Sequence, residues 1–467
     1  MKLLTPYPVA GLTLPNRIVL PAMVTRLSGE DGVVNDAVRD RYVRFAKGGA
    51  GLIVVEAMSV HGGKSGPLLR MSGDEFIPGH REMLRAMRGA GEPRIAAQII
   101  HFLKIARSGW RQKIGDLTKD EIRAIVAQYG AAARRVREAG YDAVELHMAH
   151  AYTLSSFLSA LNGRPDEYGR SLENRMRIAG EVLDRVRADA GADFPVGVRF
   201  DGEECIKDGY TVQDAREIAL RLAEHGAAWI SISVGGKFED AIHKPGVPLY
   251  PYTGYSGDRC MPGASYPDGA NVHIAEGIRA FLRGRGQTAP VVATGKIRTP
   301  ELAESLLAAD RVDLIGMARA LLADPDWVRK LAAGRADRIV RCVYGNICKN
   351  LDENFRTVVC VLWPQGEIQA PDSDDPVPPD WPAGSVLSAE DRGGRVRLSW
   401  SAARDNEGVY GYEILRSESG ADWVHLTSVR ALGYTDRGVV GGRAYRYRVR
   451  AYDRAGNRSP SLEAACG

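Results

Sequence analysis

Short runs of apolar and β-branched residues recur from the start of the chain to about residue 320, and most are separated by stretches with helical periodicity. Eight runs stand out, at 17–20, 51–56, 94–100, 141–147, 195–200, 229–233, 290–294 and 312–317. Runs such as Leu52-Ile53-Val54-Val55 are apolar on both faces, as strands of a parallel sheet covered by helices must be. Eight repeated βα units are what a closed (β/α)8 barrel needs, so the fold class is α/β, a TIM barrel. The rival, an open doubly wound sheet, would carry a Gly-rich dinucleotide loop after an early strand, and none follows any of these runs. Helix starts are marked locally. Thr118 with Glu121 fits a capping box, and Thr299 followed by Pro300 places a cap before a proline at the first helical position.

A chain of 467 residues exceeds what one core usually organises, so a second domain is expected. Between residues 364 and 382 lie six prolines with Asp372, Asp374, Asp375 and Asp380, a composition that favours an extended spacer. Beyond it the period becomes two. Tyr445, Tyr447, Val449 and Ala451 share one face of a run whose other face is Arg446, Arg448 and Arg450, the pattern of a half-solvated antiparallel strand. The division is therefore 1–363 barrel, 364–384 Pro/Asp-rich linker and 385–467 a small all-β, immunoglobulin-like sandwich. Trp400, Tyr412, Tyr434-Thr435-Asp436, Tyr445 at a tyrosine-corner position and Asp453-Arg454-Ala455-Gly456-Asn457 make residues 385–463 resemble a fibronectin type III domain.

Lys plus Arg number 62 against 58 for Asp plus Glu, too even a balance to point to nucleic acid or an anionic membrane surface. No apolar stretch approaches the roughly 20 residues of a bilayer span, and the first residues lack a signal-like apolar run, so a soluble, cytoplasmic protein is expected. Six cysteines do not make a disulfide scaffold. Cys342, Cys348 and Cys360 crowd into one segment with spacing that suggests a metal site.

In β/α barrels the chemistry sits at the C-terminal ends of the strands. Those ends hold Pro21-Ala22-Met23-Val24, Glu56-Ala57, Gln98 with His101, His147, Arg199, Gly295, and Gly316-Met317-Ala318-Arg319. They offer an amide, a cation, and backbone N–H groups with an arginine, the partners a flavin's pyrimidine edge, N1–O2 edge and phosphate require. Taken singly, Arg199 could be a structural ion-pair partner, Arg319 a helix cap, and His147 with His150 core or metal-binding histidines.

The run Glu145-Leu146-His147-Met148-Ala149-His150-Ala151-Tyr152, with Arg164-Pro165-Asp166-Glu167-Tyr168-Gly169, Glu173-Asn174-Arg175, Pro15-Asn16-Arg17 and Ala323-Asp324-Pro325, resembles the Old Yellow Enzyme family over residues 1 to about 363. The resemblance implies FMN as cofactor and NAD(P)H as reductant. It implies His147 and His150 as the hydrogen-bonding pair for a substrate oxygen and Tyr152 as proton donor. It implies Pro21, Ala22, Met23, Val24, Ala57, Gln98, Arg199, Gly295, Gly316, Ala318 and Arg319 as the cofactor cradle. The expected activity is reduction of an electron-poor C=C bond in a small molecule, that is, an ene-reductase.

Three departures matter. Val24 stands where relatives carry a Thr or Cys near flavin O4. Ala318 replaces a glycine before the phosphate arginine, tolerable if φ there is negative. Cys342-Val343-Tyr344-Gly345-Asn346-Ile347-Cys348 with Cys360 resembles the iron–sulfur segment of the trimethylamine dehydrogenase and 2,4-dienoyl-CoA reductase branch, but Gly345 takes one cysteine's place. A [4Fe–4S] cluster normally takes four thiolates, so the segment is read as a degenerate remnant. Its alternative is a cluster of altered nuclearity or one with a non-cysteine ligand. That alternative carries a second function, an amine-type dehydrogenase or demethylase passing electrons onward. The sequence leaves open an electron-transfer or protein partner at the sandwich, a homo-oligomer, and a pocket shaped by residues 235–275 with Tyr250, Tyr252 and Tyr255.

Overall fold

The computed structural model describes residues 1–63, 66–103, 112–236 and 257–466, so Tyr250, Tyr252 and Tyr255 lie outside the described residues. The chain divides into two compact units, Met1–Leu321 with Cys348–Val358, and Leu322–Ile347 with Val359–Gly467.

The first unit is a closed barrel of eight parallel strands: β1 (Ile18–Leu20), β2 (Leu52–Ser59), β3 (Arg94–Ile100), β4 (Ala143–Met148), β5 (Val196–Asp201), β6 (Ile230–Ser233), β7 (Val291–Ala293) and β8 (Leu314–Gly316). β8 pairs back onto β1 and closes it. Each strand falls on one of the eight apolar runs. β2 continues to Ser59 through a register irregularity between Val55 and Met58, which carries Ala57 inside the strand. The helix Lys119–Ala139 begins on the anticipated reciprocal box, Glu121 N–H to Thr118 Oγ1 at 3.2 Å and Thr118 N–H to Glu121 Oε2 at 2.8 Å. Thr299 likewise accepts from Leu302 N–H ahead of Pro300–Ala308.

Alternation along the strands sorts the interior into layers. Val19, Leu52, Val54, Ala96, Ala143, Trp229, Val292 and Leu314 form one buried cluster, which Val9 and Leu14 of the hairpin Tyr7–Val9/Leu12–Leu14 join. The same faces, followed toward the strand C-termini, present Gln98, Glu145, His147, Arg199, Ser231 and Ser233. Pairing sets Gln98 beside Glu145, His147 beside Arg199, and Arg199 beside Ser231. Gly197 is required beneath them, because a Cβ there would lie 2.0 Å from the Trp229 ring.

Residues 348–358 return to this unit. Val358 N–H donates to Thr25 O at 2.9 Å, and its carbonyl accepts both terminal nitrogens of the fully buried Arg41 at 3.1 Å. Asp352 pairs with Arg26 at 2.8 Å, and Lys349 with Asp258 at 2.6 Å.

The second unit contains two antiparallel sheets. One is ordered β9 (Leu387–Asp391), β10 (Val396–Trp400), β13 (Gly433–Asp436). The other is β12 (Val424–Val429), β11 (Gly411–Glu418), β14 (Tyr445–Tyr452), β15 (Leu462–Cys466). Leu387, Leu398 and Trp400 from the first and Tyr412, Ile414, Tyr447 and Val449 from the second share one core. Tyr445, Tyr447, Val449 and Ala451 are buried as the period-two pattern requires, and Val440 N–H donates to the Tyr445 hydroxyl at 3.0 Å. The opposing arginines are paired: Arg446 and Arg448 with Glu463 at 3.0 and 2.5 Å, and Arg450 with Glu413 at 2.5 Å.

The proline-rich stretch is not a free spacer along its length. Asp375 is buried, Trp381 stacks on Tyr412 with ring centroids 5.9 Å apart, and the Trp381 indole donates to Pro460 O at 2.7 Å. Its apolar residues and backbone carbonyls found partners on the sandwich that composition alone does not reveal. Residues 322–347 and 359–363 also belong to this unit, where Trp363 donates to Leu322 O at 3.1 Å and Lys330 pairs with Asp324 at 2.8 Å. Among the described residues no helix is long and apolar enough to cross a membrane.

Candidate active site

At the C-terminal mouth of the barrel, Gln98 donates from Nε2 to Glu145 Oε1 at 2.8 Å, and the Trp229 indole donates to Glu145 Oε2 at 2.8 Å. Gln98 Oε1 is left without a partner among the described residues. Burial pushes the Glu145 carboxyl up, against the opposing pull of Arg199 and its two donors. Arg199 is itself 8 % exposed and donates to Ser231 Oγ at 2.9 Å and Ser233 Oγ at 3.4 Å. Among the described residues no carboxylate lies within ion-pair distance of it. A buried guanidinium held by neutral hydroxyls alone is costly, and it suits a site where a ligand brings negative charge.

His147 ends β4, 5 % exposed, and His150 follows the strand. Ala149 N–H donates to His147 Nδ1 at 3.2 Å, so the ring proton is on Nε2. His147 Nε2 lies 3.2 Å from His150 Nδ1, and His150 Nε2 lies 2.6 Å from Ser233 Oγ. The consistent assignment is a chain in which each Nε2–H donates onward, His147 to His150 to Ser233. Burial, reinforced by Arg199, lowers His147 to about 3, and burial with His147 beside it lowers His150 well below its ordinary value. Both rings are neutral donors at physiological pH. We expect 15N NMR to find the His147 ring neutral and Nε2-protonated from pH 8 down to pH 5; titration near 6.5, the value of a free imidazole, would refute the assignment.

His150 and Ala151 have φ of 63° and 62°, the left-handed region that costs a side-chain-bearing residue roughly 1–3 kcal/mol. The surroundings hold this turn. His150 N–H donates to Asp201 Oδ2 at 2.8 Å, Ser155 Oγ donates to the same oxygen at 3.2 Å, and Ala151 N–H donates to Ser155 Oγ at 3.2 Å. Gly236 closes against it, since a Cβ there would sit 2.5 Å from the His150 backbone.

The turn delivers Tyr152, which caps the helix Thr153–Leu158, with its ring centroid 5.2 Å from that of His147 and the residue 38 % exposed. The protein packed about it raises the phenol above its ordinary value, Asp352 adds to the rise and Arg26 opposes it. Tyr152 is therefore a neutral acid at pH 7.

Around this centre lie the other anticipated residues. Pro21 is buried and Ala22 packs on the interior cluster, Met23 is half-buried, and Val24 packs with Ala57, Leu68, Ile100 and Phe102. Thr25 does not replace the hydroxyl missing at Val24, because its own is bound to Glu56 Oε1 at 2.6 Å. Gly316 lies between Pro21 and Thr294, and Gly295 takes φ 119° beside Asn271. Ala318 opens the helix Ala318–Ala323 and is not among the positive-φ residues, so the glycine of relatives is dispensable there. Arg319 donates to Pro262 O at 2.8 Å and lies near enough to Cys348 to lower its thiol, which burial raises. Cys342 and Cys360 belong to the second unit and Cys348 to the first.

The sequence reading missed Ser233, Asp201 and the Arg26–Asp352 pair, and it gave Glu145, within the family-like run, no role of its own. Ser233 ends strand six, and Asp201 lies one residue beyond the expected end of strand five. The strand-end rule applied throughout finds both.

Fold and mouth together define a barrel oxidoreductase built to hold a flavin. The chain belongs to the NADH:flavin oxidoreductase / NADH oxidase family, whose profile matches residues 104–244 and 268–338. It is 33% identical over 341 residues to an NADPH dehydrogenase of Geobacillus sp. (strain WCH70), covering 70% of this chain and 92% of that one. It is 32% identical over 360 residues to an NADH oxidase of Thermoanaerobacter brockii, covering 73% of this chain and 52% of the relative. The chain thus spans about half the length of several curated relatives it matches. A solved 2-naphthoyl-CoA reductase superposes with TM-score 0.67 at 24% identity, over 77% of this chain and 56% of that one, which shows the shared fold.

The family's cofactor is FMN, and the mouth fits such a group: among the described residues the buried Arg199 has only hydroxyl hydrogen-bond partners and could meet a ligand's negative charge, and Gln98 could meet its polar edge. An iron–sulfur cluster does not fit in the same way, because Gly345 leaves three thiols for four iron positions.

Proposed function

We propose that the protein is an FMN-dependent ene-reductase that takes electrons from NAD(P)H and reduces an activated C=C bond in a small molecule. The observation that carries this is the neutral His147–His150 pair beside the protonated Tyr152. When bound, FMN supplies the hydride from N5 to the β carbon of the substrate. His147 Nε2–H then donates to the substrate's carbonyl or nitro oxygen in place of His150 Nδ1, and so draws electron density from the double bond. Tyr152 Oη–H delivers the proton to the α carbon, and its raised pKa keeps that proton in place above pH 7.

The amine-oxidising alternative needs an onward electron path, and the three-thiol segment does not supply a four-thiolate cluster. We therefore read 342–360 as a remnant. Purified protein should carry one FMN and reduce 2-cyclohexenone with NADH or NADPH, with no iron or acid-labile sulfide. Stoichiometric iron and sulfide with no enone turnover would reverse the choice.

We further infer that the sandwich is a fibronectin type III module, supported by its three- and four-stranded sheets and the bonded Tyr445 hydroxyl. A cytoplasmic location is supported by Cys205, Cys260, Cys348 and Cys466, none of which forms a disulfide.

A further inference from the structure

Away from the barrel, three acidic side chains meet at one end of the sandwich. Asp375 comes from the proline-rich stretch before β9, Asp405 from the β10–β11 connection and Asp453 from the β14–β15 connection, and one ligating oxygen of each lies within 4.8 Å of the others. Asp375 and Asp453 are 7 % and 0 % exposed. Among the described residues no Lys, Arg or His lies within ion-pair distance of any of the three. Three clustered carboxylates, two buried and one half-buried, without a counter-charge are unfavourable, so the arrangement calls for a cation.

An independent observation points the same way. Asn457, 2 % exposed, has its amide against the cluster, with Nδ2 2.5 Å from Asp453 Oδ2 and 2.7 Å from Asp375 O, yet its buried Oδ1 has no partner. Asp375 Oδ2 and Asp405 Oδ2 are also buried and unpartnered, while their Oδ1 atoms are engaged by Val377 N–H at 2.9 Å and by Glu407 and Gly408 N–H at 2.9 and 2.8 Å. Asp375 and Asp405 are thus oriented by the backbone and each keeps one oxygen in reserve, while Asp453 accepts from Asn457 N–H at 2.8 Å and from the Asn457 amide at its other oxygen. The donor set is all oxygen, which selects a hard cation over zinc, copper or iron. Ca2+ accepts irregular sets of oxygen ligands, whereas Mg2+ demands near-ideal octahedral geometry and gives up its waters reluctantly, so loop carboxylates gathered from three separate segments suit Ca2+.

We propose that Asp375, Asp405 and Asp453, with Asn457 bracing Asp453 and the Asp375 carbonyl from beside them, form a Ca2+ site that fastens the proline-rich stretch to the loop end of the sandwich. Calcium closes a bond between residues about 80 positions apart in sequence, and so converts a stretch composed like a linker into a fixed strap.

The test is calorimetric titration of the chelator-treated full-length protein with CaCl2 and, separately, MgCl2, with hydrogen exchange of residues 371–378 measured with and without Ca2+. One Ca2+ per chain should bind with Kd of roughly 10⁻⁴ M or tighter, Mg2+ at least tenfold more weakly, and exchange in 371–378 should slow. Asp405→Asn, isosteric and half-buried, should weaken binding at least tenfold, whereas Glu390→Gln on the exposed edge of β9 should not. No heat with wild-type protein at 5 mM Ca2+, tighter binding of Mg2+, or unchanged Ca2+ affinity in Asp405→Asn would each overturn the site.

Discussion

Replacing Tyr152 with Phe should slow reoxidation of the reduced enzyme by an enone by roughly 10²- to 10⁴-fold, the range a well-placed general acid contributes. Reduction by NAD(P)H should change by less than threefold. The split follows from position. The phenol stands beside His147 on the exposed side of the mouth, where it can reach a substrate carbon, and it takes no part in the Gln98–Glu145–Arg199 group below. The expected pH profile has the same cause. With the phenol raised above its ordinary value of about 10, enone turnover should hold through pH 9 and fall only at higher pH. Stopped-flow measurement of the two half-reactions checks both points, and equal slowing of both would remove Tyr152 from the proton-delivery role.

Arg199→Met should weaken FMN binding by about 10- to 100-fold, as expected for loss of a charge-assisted hydrogen bond in a desolvated site. It should also lower the flavin reduction potential, because the cation favours the electron-rich reduced form. Among the described residues the guanidinium's hydrogen bonds go to two serine hydroxyls, so its removal breaks no salt bridge and the fold should survive, with Glu145 raised further once the cation is gone. Fluorescence titration of the apoprotein with FMN reads the effect. A Kd within threefold of wild type would show that Arg199 is structural.

What the sequence disclosed depended on how local each signal is. The eight strands were legible because burial on both faces leaves runs such as Leu52-Ile53-Val54-Val55, and Thr118 and Thr299 because a cap is a contact within one turn. Tyr445 and Tyr447 declared their face by simple alternation. The left-handed turn at His150 and Ala151 was not legible, since neither residue type requests positive φ and the restraint comes from Asp201, some fifty positions away, and from Gly236. The return of residues 348–358 was hidden in the same way. Arg41 reads as a surface helix residue, yet it is fully buried on the Val358 carbonyl. The proline-rich stretch reads as a spacer until Trp381 and Asp375 are seen in place.

Val24 sharpens the picture of the cofactor's surroundings. With an apolar side chain at Val24 and the Thr25 hydroxyl committed to Glu56, neither of these two residues offers a hydroxyl to a ligand. Burial raises the Glu56 carboxyl to about 7, which makes it a neutral or half-ionised neighbour.

This mouth is proposed to hold a flavin beneath a neutral imidazole pair in which His147, braced by His150, grips an electron-poor substrate. The most direct test of this is a single turnover without oxygen: enzyme reduced by one equivalent of NAD(P)H is mixed with 2-cyclohexenone while flavin absorbance is followed. The bleached flavin band should return as one equivalent of cyclohexanone forms, and the return should be slowed when His147 and His150 are both replaced by Leu. A protein that binds no flavin, or a reduced flavin that stays bleached with the enone and recovers only in air, would contradict it.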